Sequence, residues 1–127
     1  MHILSANVTS YYSVKGLVEA IGDEVDIVLI QEHRLHGDAL EAAKKFVKGH
    51  GFHSQWVACE VRGIGKSAGV AVWWRPWHTV VGEPHEGLKH RSLTMSFDFR
   101  ENGLLAVCVC ILWQSWCAYA VAPRKHH

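Results

Sequence analysis

The sequence predicts an α/β fold of layered sheets covered by helices, built in the order βαβα and then a run of antiparallel strands. Three observations predict it. Ile27-Val28-Leu29-Ile30 is an unbroken apolar run rich in β-branched residues, which is how a strand buried on both faces reads. Segments on either side of that run carry apolar residues at helical spacing. From Ser92 to Phe99 apolar and polar residues alternate, as in a half-buried strand, and a turn signal and a returning strand follow.

The first strand is His2 to Val8, with apolar Ile3, Leu4, Ala6 and Val8 and no breaker inside. Thr9 and Ser10 offer N-cap oxygens to a helix. Val14, Leu17, Val18 and Ile21 form one face of that helix, and Gly22 is its expected stop. Asp26 leads into the buried run. Strand, helix and buried strand make a βαβ unit with a right-handed crossover, so the two strands should be parallel and the second one central.

A second helix follows. Asp38 and Glu41 have the spacing of a capping box. Leu40, Ala43 and Val47 make its face, widened by Ala39 and Phe46, and Gly49 and Gly51 end it. A strand is expected at Phe52 to Ala58, a Gly/Lys/Ser loop at Arg62 to Ser67, and a strong strand at Gly69 to Arg75. Pro76 cannot donate to a ladder and stops that strand. Thr79 to Val81 reads as a short strand and Glu83 to His90 as a polar loop. Ser92 to Phe99 alternates in the strand manner, Glu101-Asn102-Gly103 signals a turn, and Leu104 to Leu112 is the returning strand.

Composition narrows the function. The chain has 127 residues, 49% hydrophobic and 20% charged, which suits a folded domain. Its net charge is +1 with both signs mixed along the chain, so composition gives no support to strong nonspecific nucleic-acid binding. Phosphate chemistry would have to come from a site. Cys59, Cys108, Cys110 and Cys117 lack the paired C-x-x-C spacing of a zinc site and read as reduced, buried thiols. Met1 to Val8 does not read as a signal peptide. The expectation is an intracellular protein, with nucleus and cytoplasm left open.

The βαβ unit makes a geometric prediction. Its two parallel strands end on the same edge of the sheet, and open α/β sheets bind ligands outside the carboxyl ends of strands. Asn7 and Glu32 are the polar residues near those ends. A rim carboxylate beside an amide suits Mg²⁺, which takes one or two carboxylates and leaves its other positions to water and phosphate. The bland alternative is a solvated Glu at a strand end.

The segments ILSANV around Asn7, DIVLIQE ending in Glu32, and GKSAGVAVWWR from Gly65 to Arg75 stand in the order and spacing of a known family. They resemble the N-terminal part of the endonuclease/exonuclease/phosphatase superfamily, which includes abasic-site endonucleases, the DNase I type, inositol phosphatases and retrotransposon endonucleases. The resemblance runs over residues 1–112 and implies the N-terminal half of a layered α/β sandwich, incomplete, with 113–127 an unrelated tail. It implies Mg²⁺ as cofactor, with Mn²⁺ as a substitute, and Glu32 as the principal metal ligand. Asn7 would stand beside the metal as a second catalytic residue. Apart from the resemblance, the place of His33 next to Glu32 makes it a candidate to touch substrate phosphate. Ser67 and Gly69 would serve a structural turn, and Arg91 carries no assigned chemistry.

The superfamily continues with an Asp-x-Asn pair, a further Asp and a closing Ser-Asp-His, and this sequence has none of them after Leu112. Phosphoryl transfer rests on several converging groups, so a lone metal carboxylate should not sustain it. The second sheet is expected to be mostly missing, with the apolar face of the first exposed. The first expectation is therefore a fragment of a Mg²⁺-dependent phosphodiesterase or endonuclease, inactive alone, its substrate a nucleic acid or another phosphoester. A second is a non-catalytic module or pseudoenzyme that binds a protein partner or a complementary half. A third is a membrane-anchored fragment through 104–122, a stretch without charge followed by Arg124 and Lys125. Gln114-Ser115 interrupts that stretch, which weighs against a membrane partner.

Two features resemble sites without being good ones. Gly63-Ile64-Gly65-Lys66-Ser67 has the tail of a phosphate-binding loop, but Glu60 stands where that motif needs glycine and a strand follows it. His33 and His36 precede the second helix instead of lying on one of its faces, and are expected to be exposed.

Overall fold

The computed structural model describes residues 1–99, 103–112 and 115–121. The molecule is mixed α/β. Its elements run β1 (Ile3–Asn7), α1 (Tyr11–Ala20), β2 (Ile27–Gln31), α2 (Gly37–Gly49), β3 (His53–Val57), β4 (Glu60–Arg62) and β5 (Gly65–Ser67), then β6 (Val70–Trp74), β7 (Thr79–His85), β8 (Ser92–Asp98), β9 (Leu104–Leu112) and β10 (Ser115–Val121).

The first sheet has the order β1-β2-β6-β3. β1 runs parallel to β2, in register from Ile3↔Ile27 to Asn7↔Gln31, while β6 runs antiparallel to both β2 and β3. Every residue of β2 is buried, as its apolar run requires. α1 and α2 cover one face. Val14 and Val18 of α1 and Leu40, Ala43 and Val47 of α2 pack on Val28, Ile30, Ala71 and Trp73. Burying one such branched side chain contributes about 1.5–3 kcal/mol, and this layer holds many.

The other face is covered too, contrary to expectation. Ile27, Leu29, Val57, Val70, Val72 and Trp74 form one core with Leu93, Met95, Phe97, Leu105, Val107 and Val109. The latter six come from β8 and β9, the middle of a second sheet of order β10-β9-β8-β7. Alternation along β8 and β9 aims one side-chain set at the first sheet, and that set is the apolar one. The cover stops at β2: Ile3, Ser5 and Asn7 of β1 share the face of Ile27, Leu29 and Gln31 by register, yet all three are exposed.

Several local expectations change. Ser10 caps α1 as expected, its hydroxyl accepting from Ser13 N–H at 3.0 Å, but the helix ends because Ile21 turns extended, not through Gly22. The capping box at Asp38 does not form; the N-cap is His36, with no side-chain cap bond, and Asp38 lies inside the first turn. The loop expected at Arg62 to Ser67 is the β4–β5 hairpin around Gly63-Ile64. β7 continues past Val81 to His85 through an irregularity at Gly82, whose φ is +73. Past residue 112, Ser115 to Val121 pairs antiparallel with β9. Residues Glu101 and Asn102 of the expected turn and the side chains of Cys108, Cys110 and Cys117 lie outside what the structure describes. Cys59 is a buried free thiol. Among the described residues, no helix is long and apolar enough to cross a membrane; within the stretch 104–122, Leu104–Leu112 forms β9 and Ser115–Val121 forms β10.

Candidate metal-binding rim

The parallel pair β1–β2 ends at Asn7↔Gln31, and the Val8 N–H still reaches the Gln31 carbonyl at 3.3 Å. Glu32 comes next, and there the chain leaves strand geometry. Glu32 has φ 60 and Arg34 φ 57, both left-handed. Two backbone bonds hold the turn against the start of β6: His33 N–H donates to Gly69 O at 3.1 Å and Arg34 N–H to Ala68 O at 3.0 Å. Ala68 itself has φ 66, and Gly69 N–H donates to the carbonyl of His90, whose φ is 63.

Among the described residues, these four are the non-glycine residues with positive φ, and backbone bonds stitch them into one rim. Each such conformation costs about 1–2 kcal/mol for an L-residue. Such strain persists only where surrounding structure over-determines it, and it gathers at ligand sites.

His33 supplies the over-determination. It is 0% exposed. Its Nε2–H donates to Val57 O at 2.9 Å, and its Nδ1 accepts from Leu35 N–H at 2.9 Å. These two bonds fix a neutral ring protonated at Nε2. Burial holds its pKa down at about 4, against the backbone bonds at Val57 and Val70 and the Glu32 charge, which pull it up. The ring lies flat against Gly69, where a β-carbon would come 2.5 Å from Cε1. The expectation of an exposed His33 touching substrate is thus corrected: both ring nitrogens are engaged inside the protein, and the residue is a wedge under the rim. The reason is its place between two residues that turn outward.

The Glu32 side chain keeps 20% of its surface exposed. Its Oε1 accepts from Ala68 N–H at 3.1 Å and from Arg34 Nε–H at 3.4 Å. Both bonds fall on one oxygen, and Oε2 takes neither. Asn7 is exposed at the end of β1, so the structure brings Asn7 and Glu32 to one end of one parallel pair. Beside them lies the Gln31 amide, whose Nε2 donates to Ser5 Oγ at 2.9 Å. Its Oε1 is buried and has no hydrogen-bond partner among the described residues.

Ser67 ends β5 and Gly69, at φ 91, stands directly before β6. Arg91 is drawn to Glu60 at 3.6 Å. Arg34 escaped sequence reading: nothing in its local pattern separates it from any other loop arginine. No group of three or more His, Cys, Asp and Glu side chains that could hold a metal stands together among the described residues. In comparisons with known proteins, no family model and no curated protein matches the chain.

Proposed function

We propose that this rim is the metal-binding part of a Mg²⁺-dependent phosphodiesterase or endonuclease-type hydrolase, and that the chain forms the N-terminal part of a layered α/β sandwich. The observation that carries the reading is the Glu32 carboxylate, fixed by Ala68 N–H past the end of a parallel strand pair, with Oε2 outside both of its bonds and Asn7 at the same strand end.

The donor set fits Mg²⁺ in one particular way. Mg²⁺ accepts one or two carboxylates and keeps several waters, completing its shell with phosphate. Glu32 supplies the carboxylate, and the orphaned Gln31 Oε1 is a buried acceptor one residue away. The set does not fit a cage built from protein alone. When bound, the cation supplies positive charge that polarises a phosphoryl oxygen and stabilises the departing one. Glu32 would hold it, and the Asn7 amide at the same strand end would help orient the metal or the phosphate. His33 cannot act as general base, because its acceptor nitrogen is occupied by Leu35 N–H. The chain alone should therefore bind the cation and not cleave.

Titration of the full chain with Mn²⁺, read by electron paramagnetic resonance, tests this. Glu32→Gln keeps an acceptor for Ala68 N–H but removes the charge, and should weaken Mn²⁺ binding at least tenfold. With Mg²⁺, no cleavage of abasic or plasmid DNA is expected; cleavage that Glu32→Gln abolishes would refute inactivity. The substrate class, nucleic acid or another phosphoester, is then a matter of which phosphate the loaded rim takes.

One observation favours a second reading, a module that binds a complementary half. β1 is an edge strand, and its Ile3-Ser5-Asn7 face lies beyond the second sheet. Co-purification with a chain carrying the missing acidic and histidine residues would support it.

A further inference from the structure

We propose that Arg34 is the resident counter-cation of Glu32, whose charge a divalent cation on the same carboxylate must compete with. The inference rests on the reading of the rim as a divalent-cation site. Arg34 Nε and Glu32 Oε1 are 3.4 Å apart, with Arg34 about half exposed. That contact is long enough to break and close enough to neutralise the carboxylate.

The backbone makes the pairing more than a surface accident. Arg34 stands at φ 57, where glycine would be cheaper, and its N–H is tied to Ala68 O. Ala68 N–H in turn binds the same Glu32 oxygen that faces Arg34. Arg34 Cα and the Glu32 carboxylate are therefore fixed to a common anchor. The arginines of the neighbouring hairpin and loop are turned elsewhere: Arg62 and Arg91 both pair with Glu60, at 2.7 and 3.6 Å. A dication on Glu32 would sit against the Arg34 guanidinium, and like charges so close repel strongly at a half-buried rim. The guanidinium on Oε1 therefore opposes a cation that approaches through Oε2, and the opposition falls when the guanidinium swings out.

The test titrates the full chain with Mn²⁺ alone, read by electron paramagnetic resonance, in wild type and in R34Q, R34G, R34K and E32Q. R34G adopts φ 57 without strain, so it guards against a folding artefact. R34Q and R34G should bind Mn²⁺ about threefold to tenfold more tightly than wild type. R34K, which keeps the charge, should stay near wild type. Binding seen only in R34Q and R34G would also support the proposal. Wild-type binding with unchanged or weaker affinity in R34Q and R34G would overturn the role of Arg34 and leave the site standing. Absence of binding in wild type and Arg34 variants alike, or E32Q binding as wild type does, would overturn the site and the proposal with it.

Discussion

At position 69 a β-carbon would meet the His33 ring at 2.5–2.9 Å, and the backbone stands at φ +91. Gly69→Ala thus adds a clash to a strained conformation and should cost about 3–5 kcal/mol, read by urea unfolding. His33 itself makes stability depend on pH. Its pKa is about 4 when folded against 6.5 for an ordinary imidazole. As pH falls from 6.5 toward 4, the unfolded chain takes up a proton that the folded chain refuses. Stability is therefore full above pH 6.5, declines through that window by about 3 kcal/mol, and levels off below it. His33→Gln should be less stable at pH 7 and should lose this part of the slope. Equal slopes in the two proteins would disprove the assignment. Glu32 was legible in the sequence because it ends an unmistakable buried run. The burial of His33 was not, because its partners Val57 and Gly69 lie far along the chain and no local period announces them.

Among the elements, α2 shows what local spacing can and cannot say. The face Leu40, Ala43 and Val47 was readable, since helical period alone determines it. The start differs from the capping-box spacing of Asp38, because the backbone is already helical at Gly37. His36 holds the N-cap with φ −152 and no side-chain bond. His36→Ser should stabilise the protein by about 1 kcal/mol, measured by thermal melting; no gain would mean that the first turn is already satisfied. The β4–β5 hairpin illustrates the opposite case. Its Gly and Lys content suggested loop, yet three registered pairs form around Gly63-Ile64. Ile64 projects fully into solvent at the tip, so Ile64→Asn should change stability by less than about 0.5 kcal/mol.

For the molecule as a whole, the expectation that the first sheet would lie bare failed for a specific reason. The alternation of Ser92 to Phe99 and the apolar run Leu104 to Leu112 announce strands, while β7 past Val81 does not, and which face of which sheet each strand covers is a long-range property. Phe97 joins the two sheets: it is 0% exposed and packs edge-on against Trp74 with ring centroids 5.5 Å apart. Phe97→Ala should cost about 3–5 kcal/mol and lower the single unfolding transition, not split it. Two separate transitions would mean that the sheets fold independently.

The Asn7↔Gln31 register has a consequence for chain length. The rim begins one residue past the last ladder pair, so β2 works as a ruler graduated in steps of about 3.3 Å. One residue inserted between Ile27 and Gln31 would carry Glu32 a full graduation away from Ala68 N–H and turn the apolar side chains to the wrong faces. One residue inserted at Gly63-Ile64 would only lengthen an exposed tip. Over this fold, tolerance to a change in length should therefore vary far more steeply along the chain than tolerance to a change in side chain.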